Sequence, residues 1–82
     1  MIVTRTEEFE QWLSLESAKV IALVEARLYR IEVHDHFGDV RYLGEGLAEL
    51  RWKNGLRVYF ARTGRTELLM MMGGHKNEQK KD

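Results

Sequence analysis

The stretch GLAELRWKNGLRVYFARTGRTELLMMMGGHKNEQKK, Gly46 to Lys81, decides the fold. Successive side chains of a strand point to opposite faces. Ala48, Leu50 and Trp52 therefore share one face, and Glu49, Arg51 and Lys53 share the other. After Asn54-Gly55 the pattern repeats, with Leu56, Val58 and Phe60 on one side and Arg57, Tyr59 and Ala61 on the other. Asn54-Gly55 predicts a type I′ hairpin, which needs positive φ at both positions. Thr63-Gly64 predicts the next turn, and Glu67 to Met72 a further strand. Its unbroken run LLMMM predicts a central strand covered on both faces. Gly73-Gly74 reads as a corner, and HKNEQKKD as an exposed tail or the start of a helix. A hairpin with one apolar face and one face of Arg, Lys and Tyr suits a polyanion better than an apolar ligand. Nucleic acid is the partner this pattern nominates.

Upstream, the periodicity changes from two to about 3.6. Ile2 and Val3 open a short strand, and Thr6 is placed to cap a helix whose first acids, Glu7 and Glu8, favour the positive end of its dipole. Phe9, Trp12 and Leu13 form one apolar stripe. After a break over residues 14–17, Ser17 caps a second, longer helix with Ile21, Val24, Leu28 and Ile31 on one face, and Val20 and Leu23 beside it. Arg27 and Arg30 are expected toward solvent. The helix should end near His34, with a turn around Gly38 and a strand over Val40 to Leu43. The expected architecture is α+β in two layers: an N-terminal helical hairpin packed on a small antiparallel β-sheet, as a single domain over residues 1–82.

An 82-residue chain has room for one small domain, and a hydrophobic content of 44% is enough for a core. With no cysteine there is no disulfide, thiolate zinc site or cysteine nucleophile. No apolar run approaches the roughly 18 residues that span a bilayer, and MIVTRTEEFE lacks the apolar core of a signal peptide. The simplest reading is a cytoplasmic protein with no membrane partner. The net charge is zero, but its distribution is uneven. Residues 1–39 hold 4 Lys/Arg and 8 Asp/Glu, a balance of −4, whereas residues 40–82 hold 9 and 5, a balance of +4.

The element order, together with ELRWKNGLRVYF, LLMMMGGHK and the closing QKKD, resembles the RelE/ParE toxin superfamily. Within it, the chain is most similar to the short HigB-like addiction module killer group. Members of that group show an ELR strand, a YRVYF strand and a GGDK-S-x-Q-x-KD ending. The resemblance covers nearly the whole chain. It implies a toxin of a type II toxin–antitoxin system, neutralised by a cognate antitoxin of helix-turn-helix type and often cleaving mRNA on the ribosome. The sequence departs from the pattern in its neutral charge, in His75 where the group has aspartate, and in stopping at Asp82 where members continue into a helical segment. A ParE-like inhibitor of DNA gyrase, and an inactive remnant that only binds antitoxin, are the alternatives; the stop at Asp82 favours the remnant.

The chemistry of a metal-free endoribonuclease selects residues directly. The 2′-hydroxyl must be activated, the charged phosphate stabilised and the leaving 5′-oxygen protonated. Arginine suits the phosphate because its planar fork stays charged, which nominates Arg51 and Arg57. Tyr59 on the same face offers a stacking ring or a hydroxyl for a phosphate. Histidine suits general acid–base work, which nominates His75, with Lys76 beside it as added charge or a base. Lys53, Arg62, Lys80 and Lys81 are expected to bind the RNA backbone. The competing readings are ordinary ones: Arg51 in a surface salt bridge with Glu49 or Glu67, Tyr59 as a strand former, His75 as a loop residue, and Trp52 in the core. His34 and His36 read as solvent-exposed turn residues, and Met70, Met71 and Met72 as adaptable core fillers. No cofactor or metal is expected.

Overall fold

The computed structural model describes residues 1–76. In chain order these form β1 (Ile2–Arg5), α1 (Glu7–Ser14), α2 (Ala18–His34), β2 (Val40–Gly44), β3 (Leu47–Arg51), β4 (Leu56–Gly64) and β5 (Glu67–His75). Both helices begin as the sequence dictates. Thr6 accepts a hydrogen bond from the Phe9 amide and Ser17 one from the Val20 amide, each satisfying a donor that the helix start leaves unpaired. Helix α2 ends in a left-handed Asp35, whose amide donates back to the carbonyls of Arg30 and Ile31.

The strands form one sheet in the order β1-β5-β4-β3-β2. Strands β2 to β5 are antiparallel, and β1 pairs parallel to β5 with Ile2 opposite Glu67, so the sheet is mixed rather than wholly antiparallel. The two-layer α+β arrangement is as expected. Phe9, Leu13, Val24, Leu28 and Ile31 from the helices pack on Leu50, Leu56, Val58, Phe60, Leu68 and Met70 of the sheet. Each such side chain contributes about 1.5–3 kcal/mol by leaving water. The other face of the sheet carries Arg41, Glu49, Arg57, Tyr59 and Met72, joined across strands by the register.

Five local expectations are corrected. At the β3–β4 turn only Gly55 has positive φ, so the turn is not type I′. The Gly55 amide bonds the Trp52 carbonyl and the Trp52 amide bonds the Leu56 carbonyl, giving a three-residue loop in which Gly55 supplies the left-handed step. The β4–β5 turn is made by Arg65-Thr66, because Thr63 and Gly64 continue the strand. The LLMMM run lies in a strand with neighbours on both sides, yet only one face is covered: Leu68 and Met70 are buried, while Met71 and Met72 are exposed. Gly73-Gly74 is no corner, since both belong to β5. Gly73 faces the helices, where a Cβ would lie 2.3 Å from the Trp12 ring, so the missing side chain is what lets α1 sit down on the sheet.

Arg27 is the fifth correction. It is 7% exposed, and its guanidinium donates to the carbonyls of Phe37 (2.8 Å), Asp39 (2.7 Å) and Arg51 (2.8 Å). Its Cζ stands 4.4 Å from the centre of the Trp52 ring. The loop passes over it at Gly38, where φ is +75° and a Cβ would lie 3.0 Å from the guanidinium. Arg30 is exposed, as expected.

Candidate functional site

Alternation along β3 and β4 places Glu49, Arg51, Arg57 and Tyr59 on the solvent-facing side of the sheet, in adjacent rows: Glu49 opposite Tyr59 and Arg51 opposite Arg57. Strand β2 extends the first row with Arg41 opposite Glu49, and β5 extends the second with Gly74 opposite Arg57. These side chains, with Lys76 and the end of β5 at His75, line an open groove of about 390 Å³. Gly74 adds no side chain to it, which keeps the groove deep beside Arg57.

The electrostatics centre on Glu49, a carboxylate 4% exposed on a face otherwise open to water. Arg57 Nη1 donates to its Oε2 at 3.1 Å, and Arg41 Nη1 lies 3.8 Å from the same oxygen. Burying a carboxylate is costly unless cations satisfy it, and these two arginines do so. Arg57 itself is mostly enclosed, and its Nε is a buried donor without a partner among the described residues. Arg51 pairs with Asp39 at 3.1 Å rather than with Glu49 or Glu67. That pairing is held from beneath, because Arg27 grips the backbone carbonyls of both Asp39 and Arg51. Tyr59 is 38% exposed, its ring open to the groove.

His75 is placed differently. It pairs with Leu56, whose side chain is in the core, so alternation turns the imidazole toward the helical layer. There Nε2 stands 2.8 Å from Glu16 Oε1, in the link between α1 and α2. Lys76 is exposed at the groove mouth, and its amide donates to the Gly55 carbonyl. Arg51, Arg57, Tyr59 and Lys76 thus come together, with His75 at the rim and its ring engaged elsewhere. Lys53 is exposed in the β3–β4 loop outside the groove. Arg62 is at the other end of β4, beside Phe60 and Tyr42 around a separate small cleft. Lys80 and Lys81 lie outside the described residues. Sequence reasoning did not single out Arg41 or the enclosure of Glu49. The signal for both was present: a turn at Gly44-Glu45-Gly46 puts Arg41 directly across from Glu49.

Among the described residues no cluster of His, Asp and Glu has the geometry to hold a metal ion, and His34 and His36 are exposed. No helix among them is long and apolar enough to cross a membrane.

No family model matches the chain. An uncharacterized protein of Haemophilus influenzae (strain Rd) is 32% identical over 83 residues, covering 98% of this chain and 83% of that one. The chain belongs to the family of that protein. Its backbone is similar to the isolated E. coli RelE toxin, with a TM-score of 0.77 over 96% of this chain and 87% of that one at 8% identity. It is also similar to the intact E. coli RelBE toxin–antitoxin complex (TM-score 0.75, 10% identity, 95% and 98% covered). The RelB–RelE antitoxin–toxin complex of Methanococcus jannaschii gives a TM-score of 0.74 at 8% identity, with 88% of each chain covered. At such identities the likeness establishes the fold, and the fold is RelE-like. In this RelE-like frame the groove occupies the open face of the sheet, opposite the two helices.

Proposed function

We propose that this member of the Haemophilus protein's family is the toxin of a type II toxin–antitoxin pair, in the HigB-like branch, and an endoribonuclease acting on ribosome-bound mRNA in the cytoplasm. The observation that carries the reading is the convergence of Arg41, Arg51, Arg57, Tyr59 and Lys76 around the enclosed carboxylate of Glu49 on a RelE-like sheet. A cognate antitoxin is its partner, as the RelBE complexes suggest by their fold.

The groove's groups suit transesterification of RNA. The 2′-hydroxyl gives its proton to Glu49 and its oxygen attacks the adjacent phosphorus. The P–O5′ bond breaks, leaving a 2′,3′-cyclic phosphate and a 5′-oxygen that takes a proton from Lys76 or, after a turn of its ring away from Glu16, His75. Arg57 and Arg51 meet the charge that builds on the phosphate oxygens. The unpartnered Arg57 Nε gains an acceptor when the guanidinium swings from Glu49 toward that phosphate, and Tyr59 stacks on a base.

The test is expression of the chain with single alanine changes, scored for growth arrest and for cleavage of translated mRNA. Loss of one contact to the reacting phosphate lowers cleavage by about 10²-fold or more, so Arg51→Ala, which leaves Arg41 and Arg57 on Glu49, should abolish arrest while the protein stays folded. Growth arrest without mRNA cleavage but with gyrase inhibition, or no toxicity from the unmutated chain, would overturn the reading.

A further inference from the structure

A second feature lies on the helical side of the molecule. Along α2, Lys19, Ala22, Leu23, Ala26 and Arg30 recur at intervals of three and four residues, which places them on one stripe. With Trp52 they wall an open cleft of about 510 Å³. Ala22 and Ala26 are exposed, so a second backbone can approach α2 closely there, while half-buried Leu23 and Trp52 supply apolar walls. The floor is Arg27, whose hydrogen-bond partners among the described residues are all carbonyl oxygens. Burial lowers its pKa, Asp39 offsets part of that, and neighbouring Arg30 adds to the lowering. Asp39 is the carboxylate in the lining, and it is paired with Arg51. Against it stand Lys19, Arg27 and Arg30, with His36 at the end of the cleft. The cleft therefore combines apolar walls with a surplus of positive charge.

We propose that this cleft docks an amphipathic helix of a partner protein, its apolar residues against Leu23 and Trp52 and its acidic residues facing Lys19 and Arg30. Helix-in-groove recognition uses anchors at helical spacing, with rim charges setting orientation and discrimination. A nucleic-acid strand would use the cations but leave the apolar stripe of Ala22, Leu23 and Ala26 uncovered. Arg51 and Trp52 are successive in the chain and face opposite ways, so an occupant here leaves the arginine groove open. The proposal concerns binding alone and stands whether or not the groove cleaves RNA.

The test titrates the full chain with a synthetic amphipathic peptide of about four helical turns, with leucine along one face and glutamate on its flanks. A counterpart carrying lysine for every glutamate is the comparison. Amide NMR should show shifts over residues 19–30 and at the Trp52 indole with the acidic peptide, and none with the basic one. Arg30→Glu should weaken binding by about tenfold or more, and Arg65→Glu, the same charge change on a distant turn, should not. Absence of shifts at millimolar peptide, shifts centred on Tyr59 and Met72, equal binding of the two peptides, or equal loss in both variants would each overturn the proposal.

Discussion

Replacing Arg27 by methionine keeps the length and much of the volume of the side chain but removes its charge and all its donors. The carbonyls of Phe37, Asp39 and Arg51 then lose partners at 2.7–2.8 Å, although that of Asp39 keeps the Arg51 amide at 2.9 Å. A buried acceptor left unpaired costs about 1–3 kcal/mol. Gly38 and Asp39 are exposed, so water can reach part of this loop and the lower end of that range applies. The lost stacking of the cation on Trp52 adds about 0.5–2 kcal/mol. With the carbonyls of Phe37 and Arg51 left unpaired, the total is about 2.5–4 kcal/mol, against a stability of about 4–12 kcal/mol for a domain of this length. Urea unfolding followed by circular dichroism and tryptophan fluorescence measures it as a fall in midpoint with an unchanged slope. Arg27→Lys, which keeps the charge but not the planar fork, should fall between the two. A loss below about 1 kcal/mol for Arg27→Met would refute the reasoning, because two unpaired carbonyls and the lost stacking on Trp52 together exceed it even at the lower end of each range.

Gly73→Ala places a Cβ 2.3 Å from the Trp12 ring and should destabilise by about 1–3 kcal/mol, whereas Gly74→Ala, with nothing among the described residues within 4 Å, should leave stability nearly unchanged in the same urea assay. Glu25 has its pKa lowered, first by the hydrogen bond from Arg5, with burial opposing and the ion pair adding. A depressed carboxylate contributes stability above its ordinary value of 4.5 and loses it as the pH falls through the lower folded value. Glu25→Gln should therefore cost about 0.2–1 kcal/mol at neutral pH, small because the pair is half exposed, and the two proteins should converge in strong acid; a difference that persists there would contradict the linkage.

How much of this was legible in the chain follows from how far each determinant lies along it. Helix starts at Thr6 and Ser17, the apolar stripe of α2 and the two faces of the β3–β4 hairpin depend on residues within a few positions of one another. The sequence by itself therefore determined them, and with them the shared face of Arg51, Arg57 and Tyr59. What depended on distant partners was decided by the tertiary structure. Ile2 meets Glu67 only once the helical hairpin has folded back, which makes the sheet mixed. Between Met70 and Met72 the register shifts by one residue, and in a strand of period two a single extra residue exchanges the faces of everything after it. That bulge sends Gly73 to Trp12 and His75 to Glu16, where uninterrupted alternation from Met70 would have turned His75 to the groove. Arg27 looked like solvent-facing helix surface because its three acceptors are backbone carbonyls, which carry no residue identity. Only the approach of the Phe37–Asp39 loop and the end of β3 made it the floor of one cleft and the support of the other.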